Sequence, residues 1–192
     1  MDIKDLFVVI STILILIAPV PYFRDVIKRA TKPKLVTWSN WTLLTLISAT
    51  ASLSDHQYSA AIMSYSLAFE CLGVTILGWR AGSRKIDKLD IFCQIGILVS
   101  LILWWIFNSP AVAIVAVITI DMIALLPTWR HAWHKPGEET ATSFLITSLG
   151  AGLALLAARH ATITALASPI YIAVVDLITA FIIIRRRKVL KK

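Results

Sequence analysis

Seven apolar runs, each long enough to cross a bilayer, occupy most of this 192-residue chain. A hydrocarbon layer about 30 Å thick takes roughly 17–25 residues of helix, and the runs at 6–22, 35–53, 58–79, 91–107, 110–128, 140–158 and 161–184 meet that length. No ordinary water-soluble core buries so much continuous apolar surface. Mean hydropathy is +0.79 and only 16% of residues are charged. In lipid every backbone polar group must be satisfied within the crossing segments, so helices are the required form. The sequence therefore predicts an all-α membrane protein of seven transmembrane helices with short connections and no soluble module. The first run is followed by Pro19-Val20-Pro21-Tyr22-Phe23 and a basic cluster rather than by a small-residue cleavage site, which makes it a spanning helix and not a secretory leader.

Orientation follows from Lys and Arg, which favour cytoplasmic loops. All but two of the nineteen fall at alternate ends of the runs. They group as Arg24, Lys28, Arg29, Lys32 and Lys34, then Arg80, Arg84, Lys85 and Lys88, then Arg130 and Lys135, then Arg185 to Lys188 with Lys191 and Lys192. The opposite ends hold only Lys4 and Arg159. This places the N-terminus outside and the C-terminus in the cytoplasm, with the plasma (inner) membrane as the expected location. The net charge of +8 is accounted for by topology and by attraction to anionic headgroups. Because no aromatic-basic platform accompanies these charges, nucleic acid is not an expected partner.

Glu70, Asp121 and Asp176 are lone carboxylates within the apolar runs, where an unpartnered charge is expensive and marks a working site. Each lies nine or ten residues before an Arg at the end of its own run: Arg80, Arg130 and Arg185. At about 1.5 Å per residue, all three sit roughly 14–15 Å from one membrane face, near the midplane. Three acids at one depth predict a shared cavity. Acids so gathered share protons rather than titrating singly, and an entering cation favours their ionised state, which links solute to proton. The plainer alternative is a protonated acid bonded to a hydroxyl within one turn, Ser66 for Glu70 or Thr179 for Asp176.

The chain repeats itself. Lys32-Pro33 precedes Thr37 at the entry to the second run, and Lys135-Pro136 precedes Thr140 at the entry to the sixth, with four positions from Pro to Thr in both. Pro21 and Pro127 close the preceding runs. Tyr65 stands five positions before Glu70 and Tyr171 five before Asp176, with Arg80 and Arg186 ten further on. Two three-helix units, 1–88 and 109–192, are therefore joined by a linker helix at 89–108. A single linking crossing lets both units point the same way, which gives two parallel bundles related by an axis along the membrane normal. The second unit ends in a basic cytoplasmic tail.

With this order the chain resembles the SWEET, semiSWEET and PQ-loop superfamily, whose members have three plus one plus three helices and an external N-terminus. The family's Pro-Gln pair reads Pro21-Tyr22 and Pro127-Thr128 here, without the glutamine, while the basic, Pro, Thr/Ser pattern survives as Lys32-Pro33-Thr37-Ser39 and Lys135-Pro136-Thr140-Thr142. The resemblance implies a transporter with substrate-facing positions at Glu70 and Asp176, where sugar-carrying members commonly have Asn. It also implies aromatic stacking by Trp38 and Trp41 of the second helix; the sixth helix supplies no Trp. Proton-coupled amino-acid exporters of the superfamily resemble this chain in carrying an Asp where Asp121 lies.

Trp38 and Trp41, with Asn40, Thr37, Thr45 and Ser48, give the second helix a polar and aromatic character, and Thr37, Trp41, Thr45 and Ser48 share one face. They line a cavity or, for the Trp pair, sit at the membrane interface. The corresponding small-residue stripe of the sixth helix, Thr140, Ser143, Thr147, Gly150 and Ala154, suits close packing. Pro19, Pro21 and Pro127 are hinge candidates, because proline removes a helical hydrogen bond; the plain alternative is that they end their helices. Pro110 and Pro169 fall at or near helix starts. Cys71 and Cys93 read as small core residues. The HxxH of His131 and His134 near Glu138 and Glu139 has metal-ligand chemistry but reads as an interfacial belt with Trp129 and Trp133.

No nucleophile elbow, Walker loop, GxGxxG or zinc HExxH occurs, so the sequence argues against an enzyme and calls for no cofactor or metal. The expected function is alternating-access transport of a small organic solute through a cavity lined by Glu70, Asp121 and Asp176, flanked by Tyr65 and Tyr171, with protons or another cation as the coupled species. A ligand receptor of the same plan and a PnuC-type vitamin carrier are the alternatives. A second copy of the chain and membrane lipid are further partners the sequence allows.

Overall fold

The computed structural model describes residues 2–31, 33–82 and 86–190; the side chains of Arg80, Ala81 and Pro127 lie outside that description, as do the predicted basic positions Lys32, Arg84, Lys85, Lys191 and Lys192. Among the described residues the chain is all helical, with no strand. The helices are α1 (Ile3–Ile17), α2 (Val20–Ile27), α3 (Leu35–Ser54), α4 (Tyr58–Ala81), α5 (Lys88–Phe107), α6 (Pro110–His134), α7 (Ala141–Leu156) and α8 (Ile163–Leu190), with a 3₁₀ turn at Pro136–Glu138. Five segments are long and apolar enough to cross a membrane by themselves: Ile3–Ile27, Tyr58–Trp79, Lys88–Phe107, Pro110–His134 and Ile163–Leu190. α3 has the length but carries the polar stripe, and α7, at 16 residues, is shorter.

Several helix bounds depart from the sequence reading, each for a local reason. The first run is broken at Ala18 and Pro19 into α1 and α2, because Pro19 and Pro21 both lack the donor that would continue the ladder. α5 starts earlier than its apolar run: Asp87 caps it, accepting from the Leu89 and Asp90 amides at 3.1 and 3.2 Å, while Asp90 accepts from the Asp87 amide at 2.8 Å. α6 runs through Pro127 to His134 rather than closing there. A single missing bond is tolerated when packing on both sides holds the helix straight enough to continue. Pro169, expected near a helix start, lies seven residues inside α8 and is fully buried. The basic residues Arg185 to Lys188 continue α8 rather than forming a tail.

Packing repeats between the two halves of the chain. α4 packs against both α1 and α3, and α8 against both α6 and α7, while no extended packing joins α1 to α3 or α6 to α7. Across the halves α1 meets α7, α3 meets α6, and α4 meets α8. Exchanging α1, α3 and α4 for α6, α7 and α8 leaves this scheme unchanged. α5 stands outside the exchange, packed on α6 and α3. The repeated Lys-Pro pairs have matching places: Pro33 lies against Gly78 of α4, and the Pro136 carbonyl accepts from Arg187 Nε of α8 at 2.8 Å.

Outward faces are apolar throughout. Phe69 is 69% exposed and Trp105 84%, whereas Glu70, next to Phe69, is 8% exposed. Lipid takes the first two and the protein interior takes the acid. Since lipid is as apolar as leucine, helix association here depends on close approach and hydrogen bonds between helices. Gly150 supplies such an approach: a Cβ there meets Ile15 Cγ1 at 2.7 Å and the Ser11 carbonyl at 3.3 Å, and the Ser11 hydroxyl donates to the Gly150 carbonyl at 2.7 Å. Around Gly152 on the same helix there is open space.

These two glycines make a paired test. Alanine gains helix propensity equally at both, so Gly152→Ala is expected to leave thermal stability unchanged or to raise it by up to about 1 kcal/mol. Gly150→Ala must push apart α1 and α7 and is expected to lose about 1–3 kcal/mol. Equal melting temperatures for the two variants in detergent contradict the α1–α7 packing described.

Candidate functional site

Glu70, Asp121 and Asp176 line one cavity between the halves, the first from α4, the second from α6 and the third from α8. The cavity has a volume of about 100 Å³, room for several waters at roughly 10–15 Å³ each. Asp176 is the electrostatic neighbour of both other acids. Tyr171 donates its hydroxyl to Asp121 Oδ2 at 2.6 Å. Four buried side-chain atoms have no hydrogen-bond partner among the described residues: Glu70 Oε2, Asp121 Oδ1, Trp41 Nε1 and Ser143 Oγ. All four belong to residues that line this cavity. Natural interiors rarely leave such atoms orphaned, and their convergence marks a place for a polar occupant.

The hydroxyls considered as private partners for the acids are engaged elsewhere. Ser66 donates to the Ile62 carbonyl at 2.8 Å; Thr179 donates to the Val175 carbonyl at 2.7 Å and accepts from Trp129 Nε1 at 2.7 Å. Neither satisfies Glu70 or Asp176.

Trp38, Trp41, Thr45 and Ser48 of α3 line the cavity with the acids, so the Trp pair faces inward rather than to the membrane interface. Trp38 meets Tyr22 at a tilt of 52° with ring centres 5.0 Å apart, and meets Trp41 edge-on at 5.0 Å and 85°. Toward the basic helix ends lies a second hollow of about 620 Å³, a vestibule lined by Lys34, Thr37, Asp90, Lys135 and Glu139 among others. Tyr22, Trp38, Trp41 and Phe144 line both spaces and form the wall between them. Tyr22 and Thr128, the residues that follow Pro21 and Pro127, both line the vestibule.

Two expected site residues stand elsewhere. Asn40 is buried but lines the vestibule only, because it lies one residue from Trp41, about 100° round the helix, and close to the start of α3. Tyr65 is 39% exposed and approaches Thr50 Oγ1 at 3.5 Å, away from the cavity. The offset that relates Tyr65 to Tyr171 relates Ile15 to Asp121, so Tyr65 has no acid opposite it. Pro19 sits at the α1–α2 break and Pro21 in the first turn of α2, while Pro127 lies inside an unbroken α6 and its side chain is outside the description. Phe144 and Tyr22 were not singled out by sequence as lining residues. Phe144 was legible by spacing: it stands eight positions after Pro136, as Trp41 stands eight after Pro33.

At the end opposite the vestibule the halves are tied together. Ser168 donates to Ser48 at 3.5 Å and Ser52 to the Thr164 carbonyl at 3.1 Å, and Thr164 donates to Asp55. Arg159 pairs with Asp5 at 2.7 Å and Asp2 at 3.2 Å, and Lys4 donates to the Ala158 carbonyl at 2.7 Å. At the basic end the ties are Thr140 to Asp25 at 2.8 Å and Thr31 to the Glu138 carbonyl at 3.4 Å. His131 pairs with Glu138 at 3.1 Å and His134 Nδ1 lies 2.8 Å from the Arg130 carbonyl, so the HxxH does not converge on one point.

Compared with known proteins, the chain has no matching family model, curated protein or solved structure.

Two predictions follow from this geometry. Tyr171→Phe removes the hydrogen bond to Asp121 Oδ2 and is expected to cost about 1–3 kcal/mol of stability, while Tyr65→Phe changes little; similar melting temperatures for the two exclude the Tyr171–Asp121 bond. In the connection between α6 and α7, burial pushes the Glu139 carboxyl up to about 7, with Glu138 adding like charge and Arg187 opposing. An unfolded Glu titrates near about 4.3, so the folded chain holds this proton more tightly and stability falls as pH rises from roughly 4.5 to 7. Glu139→Gln is expected to flatten that fall in melting temperature. Parallel wild-type and variant profiles reject the assignment.

Proposed function

We propose that this chain is a seven-crossing membrane carrier that moves a small polar organic solute by alternating access, with protons or another cation as the coupled species. The observation that carries the reading is the convergence of three carboxylates and four orphaned polar atoms on one cavity at the junction of the two halves. Taken with α1 and α2 as one interrupted crossing, the helices form two three-helix units, α1/α2–α3–α4 and α6–α7–α8, joined by α5. The exchange-invariant packing supports a relation between them by an axis along the membrane normal, the parallel-repeat plan of SWEET and PQ-loop transporters.

Orientation belongs to the same proposal. The vestibule lies at the end that carries almost all the Lys and Arg, which supports a cytoplasmic vestibule and an external N-terminus. Lys4 and Arg159, the two exceptions, are engaged at the opposite end, Arg159 with Asp2 and Asp5 and Lys4 with the Ala158 carbonyl. The described state then has an open cytoplasmic hollow, an aromatic wall, an inner cavity and a tied outer end. Alternating access requires the outer ties to part while the basic end closes, and the Pro19 break and the buried Pro169 are where α1–α2 and α8 bend most easily.

Reconstitution tests this. In liposomes with an internal pH-sensitive dye and an imposed pH gradient, a panel of amines, amino acids and sugars is expected to contain a solute whose entry moves protons. Glu70→Gln and Asp176→Asn are expected to abolish the dependence on the gradient. Unchanged dependence rejects the role of the acids, and saturable binding without flux turns the reading to a ligand receptor.

A further inference from the structure

The inner cavity is electrically one-sided. Glu70, Asp121 and Asp176 enter it, and among the described residues no Lys, Arg or His lines it. Basic side chains begin only beyond the aromatic wall, in the vestibule, where Lys34 pairs with Asp87 and Asp90 and Lys135 with Glu138. Thr45 and Thr147 line the cavity, but their hydroxyls donate to the Trp41 and Ser143 carbonyls of their own helices at 2.7 and 3.1 Å. Glu70 Oε2 and Asp121 Oδ1 are buried without a partner in hydrogen-bond geometry, although the Trp41 indole acts on Asp121, and Asp176 adds a third carboxylate. Most of the remaining wall is hydrocarbon and aromatic, with Leu44, Leu67, Val117, Trp38 and Phe144, interrupted by Ser48, Ser64 and Ser168.

We infer that the occupant of this cavity is an organic ammonium ion without a carboxylate, an alkyl amine or diamine. This rests on the cavity being the solute site of the carrier proposed above, and it names the chemistry that the site selects. An ammonium group gives its hydrogen bonds to carboxylates that lack partners, and its charge offsets theirs in a medium where unpaired charge is costly. Its methylenes suit an apolar wall, and Trp and Tyr faces attract a cation. An amino acid brings a carboxylate of its own. In this cavity that group meets three others and, among the described residues, no Lys, Arg or His to offset its charge, a built-in rejection rather than a weaker attraction. A bare metal cation needs its ligands converged on one point, and among the described residues no three His, Cys, Asp or Glu side chains are so placed. A sugar leaves the acid charge without a counter-ion.

The test compares 1,5-diaminopentane with lysine, which differ by the α-carboxylate alone. Both are added to the purified full-length chain in detergent at matched ionic strength, and thermal unfolding is read by tryptophan fluorescence, since a ligand that binds the folded state raises the melting temperature. The diamine is expected to stabilise saturably, and lysine to require at least about tenfold more for the same shift, a difference of about 1.4 kcal/mol. Glu70→Gln and Asp176→Asn are each expected to weaken the diamine at least about tenfold. If either variant fails to fold, the wild-type pair of ligands still decides. Equal or better stabilisation by lysine overturns the inference, as does an identical shift from sodium chloride, or stabilisation by glucose alone. Diamine binding without flux in liposomes keeps this inference and sinks the carrier; flux of a carboxylated or neutral solute keeps the carrier and sinks this inference.

Discussion

A carboxylate cannot rest in hydrocarbon without polar surroundings, and the arrangement of α4, α6 and α8 follows from that constraint. Each of these helices carries one acid on an otherwise apolar segment, and each is turned so that the acid faces the others. On α4 the consequence is visible between adjacent residues, with Phe69 outward in lipid and Glu70 inward. The remaining helices enclose the acids. α3 contributes its polar stripe from one side and α7 its serine and threonine from the other, while α1 packs on α7 through Gly150. The apolar exterior and the acidic interior are thus one solution to one problem, since every face not needed to line the cavity is free to meet lipid.

The ties between halves are individually weak, and that matters for the alternating access proposed above. Hydrogen bonds between helices in a membrane contribute about 0.6 kcal/mol on average, and the Arg159 pairs with Asp2 and Asp5 are at the exposed helix ends, where ion pairs add little. Parting Ser48 from Ser168 and Ser52 from Thr164 therefore costs a few kcal/mol at most, within the range that a bound solute can supply by preferring one state. The larger barrier is steric. Between vestibule and cavity stand four aromatic rings, and Tyr22 and Trp38 are in van der Waals contact with each other and with the α4 core at Val74. Movement of α2, on the far side of the Pro19 break, displaces Tyr22 without unfolding α1.

Much of this was legible in the sequence because lipid makes the rules few. Run length marked the long apolar helices, and the three acids that the sequence set apart line one cavity. The face shared by Thr37, Trp41, Thr45 and Ser48 faces the two hollows in order along α3. What the sequence hid was rotation about each helix axis. Asn40 and Tyr65 have the right composition and depth, but their directions are fixed by neighbours that no local pattern encodes. Proline misled in both directions: one missing hydrogen bond breaks a helix at Pro19, beside a second proline, and leaves α6 and α8 continuous at Pro127 and Pro169, where packing on several sides holds the ladder together. Local propensity is a weak guide when tertiary contacts decide.

The repeat is close in packing and loose in chemistry, and the difference bears on how a solute lies. Glu70 and Asp176 occupy matching places on α4 and α8, but Asp121 on α6 faces a scheme in which α1 offers Ile15. Likewise Trp41 of α3 answers to Phe144 of α7, so an unpartnered indole N–H on one side has only hydrocarbon as its counterpart. A symmetric lining binds a ligand in two equivalent orientations. This one places Asp121, its Tyr171 partner and Asp176 in the second half and Glu70 alone in the first, so an asymmetric solute gains more by lying one way than the other. Under the proposed carrier reading, near-symmetric packing lets both openings use equivalent interfaces. The lining carries no such requirement, and the acids are free to encode direction and selectivity.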